Sequence, residues 1–361
     1  MNKALLSFLL FCFCFPLFSQ EQDTAKADTL SAIASDTVII KAEAVEKYNE
    51  GISAFNKSQY EKAINLFSQA ITIDNRFLKP FFNRAMARKE TKDYTGAIKD
   101  FEHVLKNDSI NLDKVHYHLA LIYMETDNPE KALKHFSEAL RLNPKMAEAY
   151  YYTGVIKFQQ NDLDGALNAY NNAIRTNPDY AYAYNDRGSV KREKGDLKGA
   201  ESDYISAIRK DPQLAFAYNN LGTVKRKMGK PEEALQEYNQ AVRLKPDYYI
   251  AYNNRGVTYF ELGKYEEAVK DFSKAIKYNP KYAYAYNNRA NAKYKLRDYK
   301  GAVEDATKAI ELDANYGYAY LNRGIAKEML RDKKGACKDW EKAAELGVKN
   351  AEKYIETSCD E

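Results

Sequence analysis

Few residues in this chain have the types and spacing that chemistry requires. Its four histidines are His103, His116, His118 and His135. His116 and His118 are two apart, so on a helix they project about 200° from one another and cannot share a metal ion. His103 and His135 sit among charged neighbours and read as surface or packing residues. The sequence has no glycine-rich phosphate loop, no His-Glu-x-x-His, no Gly-x-Ser-x-Gly and no Cys-x-x-Cys. Its carboxylates scatter as they do on a solvated face. The expectation is a non-enzyme with no catalytic residues, no metal and no cofactor.

The cysteines divide by position. Cys12 and Cys14 lie in an N-terminal stretch in which Lys3 precedes a largely apolar run over 4–18 and Ser19 offers a small residue for cleavage. That order marks 1–19 as a signal peptide and the compartment as secreted or periplasmic. The run is too short to span a bilayer comfortably, so no direct membrane span is expected after cleavage. Lipid attachment at Cys14 fits less well, because the bulky Phe13 precedes it. The mature chain then keeps only Cys337 and Cys359, an even count in an oxidising compartment, and a disulfide between them is expected.

Residues 20–43 read as a disordered polar linker, rich in Asp, Thr, Ser and Ala without an aromatic residue. Asp23-Thr24-Ala25, Asp28-Thr29-Leu30 and Asp36-Thr37-Val38 resemble acceptor sites of a bacterial periplasmic O-glycosylation system, as does Asp108-Ser109-Ile110. A plain solvated linker has the same composition. Across the whole chain 55 Lys and Arg balance 51 Asp and Glu without forming a block, so no basic face marks nucleic acid as a partner. An apolar content of 45% argues against wholesale disorder.

From residue 44 the chain repeats. Ala63, Ala97, Ala132, Ala166, Ala200, Ala234, Ala268, Ala302 and Ala336 recur every 34 residues, with a single step of 35 after Ala97. Twelve residues before each stands a second small residue, as in Gly51, Ala85, Gly188 and Gly256. Four residues after each comes a ring, as in Phe67, Tyr204, Phe272 and Trp340, and three later another small residue in most units. Spacings of three and four put these residues on one helix face, and small slots let two helices approach closely. Pro144, Pro178, Pro212, Pro246 and Pro280 close most units, where they end the second helix.

The spacing of Tyr252, Gly256, Tyr259, Ala268, Phe272, Ala275 and Pro280 resembles the tetratricopeptide repeat, and eight other units carry it with variation. Asn75, Ser109, Ala314 and Val348 depart from the closing Pro, and Ala306 from the ring. The resemblance implies an all-α, right-handed α-solenoid of nine helical hairpins whose first helices line a groove. The units are 44–77, 78–112, 113–146, 147–180, 181–214, 215–248, 249–282, 283–316 and 317–350. Ala351, Tyr354 and Ile355 then begin a capping helix and tail over 351–361.

Two further patterns ride on the repeat. Five units hold Arg just before the glycine slot (Arg84, Arg187, Arg255, Arg289, Arg323), and the same five hold Asp sixteen residues later (Asp100, Asp203, Asp271, Asp305, Asp339). In an antiparallel hairpin these slots face each other, so five structural ion pairs are expected. The slot before the Arg slot holds Asn in six of nine units: Asn49, Asn83, Asn220, Asn254, Asn288 and Asn322, with His118, Tyr152 and Asp186 in the others. Asn185, Asn219, Asn253 and Asn287 precede four of these, making a double row. Asn is a poor helix former, so helix formation does not explain the choice. Carboxamides match a peptide backbone's donors and acceptors, and the row resembles the asparagine ladder of O-GlcNAc transferases, although no transferase domain is present here. The other reading of these asparagines is that they cap neighbouring hairpins or face water. Tyr182, Phe216, Tyr284 and Tyr318 flank it with apolar surface.

The resulting expectation is a non-catalytic protein–protein interaction scaffold that binds extended polypeptide segments in its groove, in an exported compartment. Its partners are other proteins or extended peptides. The alternative is a dedicated accessory subunit of a cell-envelope assembly or secretion complex, which would co-purify with one partner at fixed ratio.

Overall fold

The repeat becomes paired helices because each unit supplies two apolar stripes that can be buried only against each other and against the next pair. The computed structural model describes residues 40–107 and 111–359. The expected signal peptide with Cys12 and Cys14, the linker up to residue 39 with its three triplets, and Asp108-Ser109-Ile110 lie outside those residues. Nineteen helices and no strand are present among the described residues.

The chain forms two compact units, one ending at Thr176 and the other starting at Asn177. The first contains four hairpins: α1 (Ala42–Asn56) with α2 (Tyr60–Ile73), α3 (Leu78–Glu90) with α4 (Tyr94–Asn107), α5 (Leu112–Glu125) with α6 (Pro129–Leu142), and α7 (Ala147–Gln159) with α8 (Leu163–Thr176). The second contains five: α9 (Ala181–Glu193) with α10 (Leu197–Lys210), α11 (Ala215–Lys227) with α12 (Pro231–Leu244), α13 (Tyr249–Glu261) with α14 (Tyr265–Tyr278), α15 (Ala283–Lys295) with α16 (Tyr299–Leu312), and α17 (Gly317–Met329) with α18 (Lys333–Glu345). A last helix, α19 (Asn350–Ser358), packs on α18. The fold is thus all-α, of the solenoid class, with four stacked hairpins in the first unit and five with a C-terminal capping helix in the second. Helix α1 starts at Ala42, within the segment assigned to the linker.

Close approach inside a hairpin depends on the small slot. A Cβ at Gly51, Gly154, Gly188, Gly222, Gly256 or Gly324 would fall 2.4–3.0 Å from an atom of the facing ring, which itself is fully buried. Hairpin eight has alanine at both slots, Ala290 and Ala306, packed with Ala302 and Ala326. Between the helices of a hairpin the chain turns through one left-handed residue. Gly195, Gly229 and Gly263 supply it in hairpins five to seven, Arg297 (φ 62°) and Arg331 (φ 66°) in hairpins eight and nine. Five second helices begin Asp-x-x-Gly, the carboxylate accepting from the glycine N–H, as Asp196 does from Gly199 at 2.8 Å.

Candidate functional site

The Arg and Asp slots meet across each of the five hairpins. Arg84 grips Asp100 with Nε at 2.9 Å and Nη2 at 2.7 Å, and the other four pairs repeat this two-pronged geometry at 2.6–2.8 Å. The five carboxylates are 3–5% exposed, so the planar fork meets its match where water does not compete. Each guanidinium also lies over the ring three residues before it, from Phe81 to Tyr320. The remaining Nη1 of Arg84, Arg255, Arg289 and Arg323 reaches back to the previous hairpin, to Ser68, Asn239, Ser273 and Thr307. These arginines therefore hold structure together both within and between hairpins.

A second cation joins most of these pairs, which the paired pattern alone did not reveal. Arg88, Lys191, Lys293 and Lys327, each four residues after the Arg, reach the same carboxylate at 2.7–2.8 Å. Tyr259 takes that position behind Arg255, so among the described residues Asp271 pairs with one cation.

The asparagine rows need a correction. Asn185, Asn219, Asn253 and Asn287, expected in the groove, are 4–6% exposed and turn inward. Their Oδ1 atoms accept from the outer asparagine of the next hairpin: Asn220 to Asn185, Asn254 to Asn219 and Asn288 to Asn253 at 3.0 Å, and Asn322 to Asn287 at 2.9 Å. The double row is a ladder that ties successive hairpins of the second unit. Burial without such a bond would strand a carboxamide, which is why the inner row is taken up this way. Asn185 additionally donates to Asp186, and Asn287 to the Tyr316 hydroxyl. The outer row is half-buried, and each of its Oδ1 atoms makes no hydrogen bond among the described residues.

Alongside the ladder run Tyr182 and Phe216, ring centroids 5.5 Å apart, then Tyr284 against Tyr316 at 4.9 Å. Tyr318 is 58% exposed.

Models of the tetratricopeptide repeat match 113–146 and 249–282, 204–236, and 283–316, and a TPR repeat model matches 154–191 and 223–263, about half the chain together. The chain belongs to the tetratricopeptide repeat family. Among solved structures it resembles a tetratricopeptide repeat protein from Parabacteroides merdae (19% identity, 68% of this chain and 99% of that one, TM-score 0.54). It also resembles the APC/C hetero-tetramer Cut9–Hcn1 (16% identity, 87% and 77%, TM-score 0.55) and pilF of Pseudomonas aeruginosa (20% identity, 58% and 96%, TM-score 0.53). At these identities the likeness is one of fold. No curated protein sequence matches the chain.

In this tetratricopeptide repeat protein the first unit fills the ladder slots differently. Asn83 donates to the Tyr48 hydroxyl at 3.0 Å, Phe82 meets His118 edge-on at 5.8 Å, and Tyr117 meets Tyr152 at 6.4 Å. Asn49 is exposed. His118 is stacked on Phe101, and its buried Nδ1 has no hydrogen-bond partner among the described residues. Burial holds its pKa down at about 3. His116 and His135 stand with their Nδ1 atoms 2.9 Å apart, one ring donating and the other accepting. Burial also depresses both, His135 to about 4. Comparing His116 with His118 along one helix missed this partner, which lies across the hairpin. His103 stacks on Phe81. At the other end of the chain, Cys337 of α18 and Cys359 after α19 have Cα atoms 5.8 Å apart and sulfurs at bonding distance.

Tetratricopeptide repeats build interaction scaffolds. In the second unit the ladder bonds pin the amide planes of the outer asparagine row.

Proposed function

We propose that this protein is an exported, non-catalytic scaffold whose second unit binds extended polypeptide segments along the face formed by α9, α11, α13, α15 and α17. One observation carries the reading. Asn220, Asn254, Asn288 and Asn322, all half-buried, each spend one Nδ2 hydrogen on the ladder, which fixes the amide and leaves the Oδ1 acceptor and a second donor hydrogen unspent by these bonds. Equivalent groups at every repeat match the recurring C=O and N–H of an extended chain. Their fixed orientation lowers the ordering cost of binding. Tyr182, Phe216, Tyr284 and Tyr318 add apolar contact beside them. Export rests on the leader at 1–19. A dedicated envelope-assembly subunit is the second reading.

Truncating Asn220, Asn254 and Asn288 to alanine is a poor test, because it strands the buried Asn185, Asn219 and Asn253; the thermal midpoint cannot stay level, contrary to a simple groove-facing row. Replacing whole rungs avoids this. The variant with Asn219→Leu, Asn254→Leu, Asn253→Leu and Asn288→Leu removes both partners of two bonds and should stay folded by circular dichroism. Twelve-residue peptides selected on the full chain from a displayed library should bind this variant at least tenfold more weakly by fluorescence anisotropy. Unchanged affinity in the folded variant would place the site elsewhere.

A further inference from the structure

A second surface is distinguished by charge and by exposed aliphatic side chains. It is the edge of the second unit where the first helix of each hairpin turns into the second. The same eight positions can be compared in every hairpin. In the second unit they are 191–198, 225–232, 259–266, 293–300 and 327–334, with 17 Lys and Arg against 8 Asp and Glu, net +9. In the first unit they are 54–61, 88–95, 123–130 and 157–164, with 5 against 8, net −3. Hairpin seven alone is not basic within the second set. The turns share one edge, since Arg226 of one bonds Glu261 of the next at 2.6 Å.

Some of this charge is turned inward: Lys191, Lys293 and Lys327 neutralise buried carboxylates. Lys227, Lys295, Arg297, Lys300, Arg331 and Lys334 are exposed and form no ion pair among the described residues. Between them protrude Leu296 (36% exposed), Met329 (46%) and Leu330 (39%). Arg297 and Arg331 occupy the left-handed slot that glycine fills in hairpins five to seven, a conformation unfavourable to a side chain. Cations thus stand there against the local backbone preference, and the same turns expose aliphatics that folding would hide.

We propose that this edge docks on a lipid bilayer bearing anionic headgroups. Interspersed cations and aliphatic wedges on one edge fit a surface that is negative outside and apolar just beneath. An acidic protein would take up the charge but give Leu296 and Leu330 no apolar layer to enter. The inference does not rest on the peptide-binding reading, because the edge and the asparagine face use different residues.

Co-sedimentation of the full chain with vesicles tests it. Binding to phosphatidylcholine vesicles containing phosphatidylglycerol should exceed that to phosphatidylcholine alone and weaken as salt rises. R297G/R331G removes two cations while relieving the left-handed backbone, so its thermal midpoint should rise. Its partition coefficient should fall about 25-fold, about fivefold per cation. L296S/L330S should lower it at least tenfold with the fold intact. Rung-replaced protein should bind vesicles like the wild type even if peptide binding is lost. Equal binding to neutral and anionic vesicles, no effect of R297G/R331G, or binding to polyglutamate without binding to vesicles would each overturn the assignment.

Discussion

The two units build the same hairpin but couple it to its neighbour by different forces. In the first unit the coupling slots hold a Tyr48–Asn83 hydrogen bond and the ring contacts Phe82–His118 and Tyr117–Tyr152. In the second they hold four identical amide rungs, backed by four of the five Arg–Asp forks. Ring packing tolerates small shifts, whereas hydrogen bonds between buried groups tolerate few. The backbone period therefore does not dictate how repeats are joined. Side chains at two slots decide whether the joint is apolar or directional.

Removing a fork carboxylate should break the second unit most severely. Asp305→Ala leaves Arg289 and Lys293 facing one another without their anion and should cost about 3–5 kcal/mol in urea denaturation. Asp271→Ala strands a single cation, Arg255, and should cost less. Equal costs would mean that the second cation contributes nothing.

Next in size is the fastening of α19. We propose a Cys337–Cys359 disulfide, which joins residues at a sequence separation of 22, and its reduction should cost about 3 kcal/mol. Two free thiols per unfolded, unreduced chain would rule it out.

Acid should instead find the first unit, which holds all four histidines. His118 and His135 have folded pKa values of about 3 and 4, below the ordinary 6.5. The unfolded chain thus binds more protons than the native one between these limits. Their contribution to stability is complete above about pH 6.5 and is lost as pH falls toward 3–4, at up to about 1.4 kcal/mol per pH unit for His118. His118→Phe, which keeps the stack on Phe101, should flatten that slope; an unaltered slope would move the acid sensitivity elsewhere.

The smallest effect concerns a single rung. Asn254→Ala should cost about 1–3 kcal/mol by stranding Asn219, whereas Asn219→Leu with Asn254→Leu should cost under about 1 kcal/mol. A double variant no better than the single one would mean the rung does not unite the two slots energetically.

The hairpins were legible because the small–ring–small spacing recurs every 34 residues, and the Arg and Asp slots because they are filled or vacant together. The ladder was visible as two rows of asparagine, with contact to neighbouring hairpins one of two readings, but its bonded pairs were not. Its partners lie 35 residues apart, as with Asn185 and Asn220, and repeat spacing alone does not say which of two adjacent slots turns inward. Tyr117–Tyr152 and Phe82–His118 hid the same joint because their chemistry shares no letter with it. His116–His135 was illegible for a simpler reason: one hairpin offers one example, and a period needs several.

The amide rungs also make hairpins interchangeable. Every middle hairpin of the second unit carries both halves of the joint, an inner acceptor for its successor and an outer donor for its predecessor. Excising hairpin seven, 34 residues long, would bring Asn288 to Asn219 and restore the same bond. Excising hairpin three would set Tyr152 against Phe82, two rings that were never shaped for each other. The second unit is thus a set of standard parts that can be lengthened or shortened by whole repeats, and the first is a set of fitted ones.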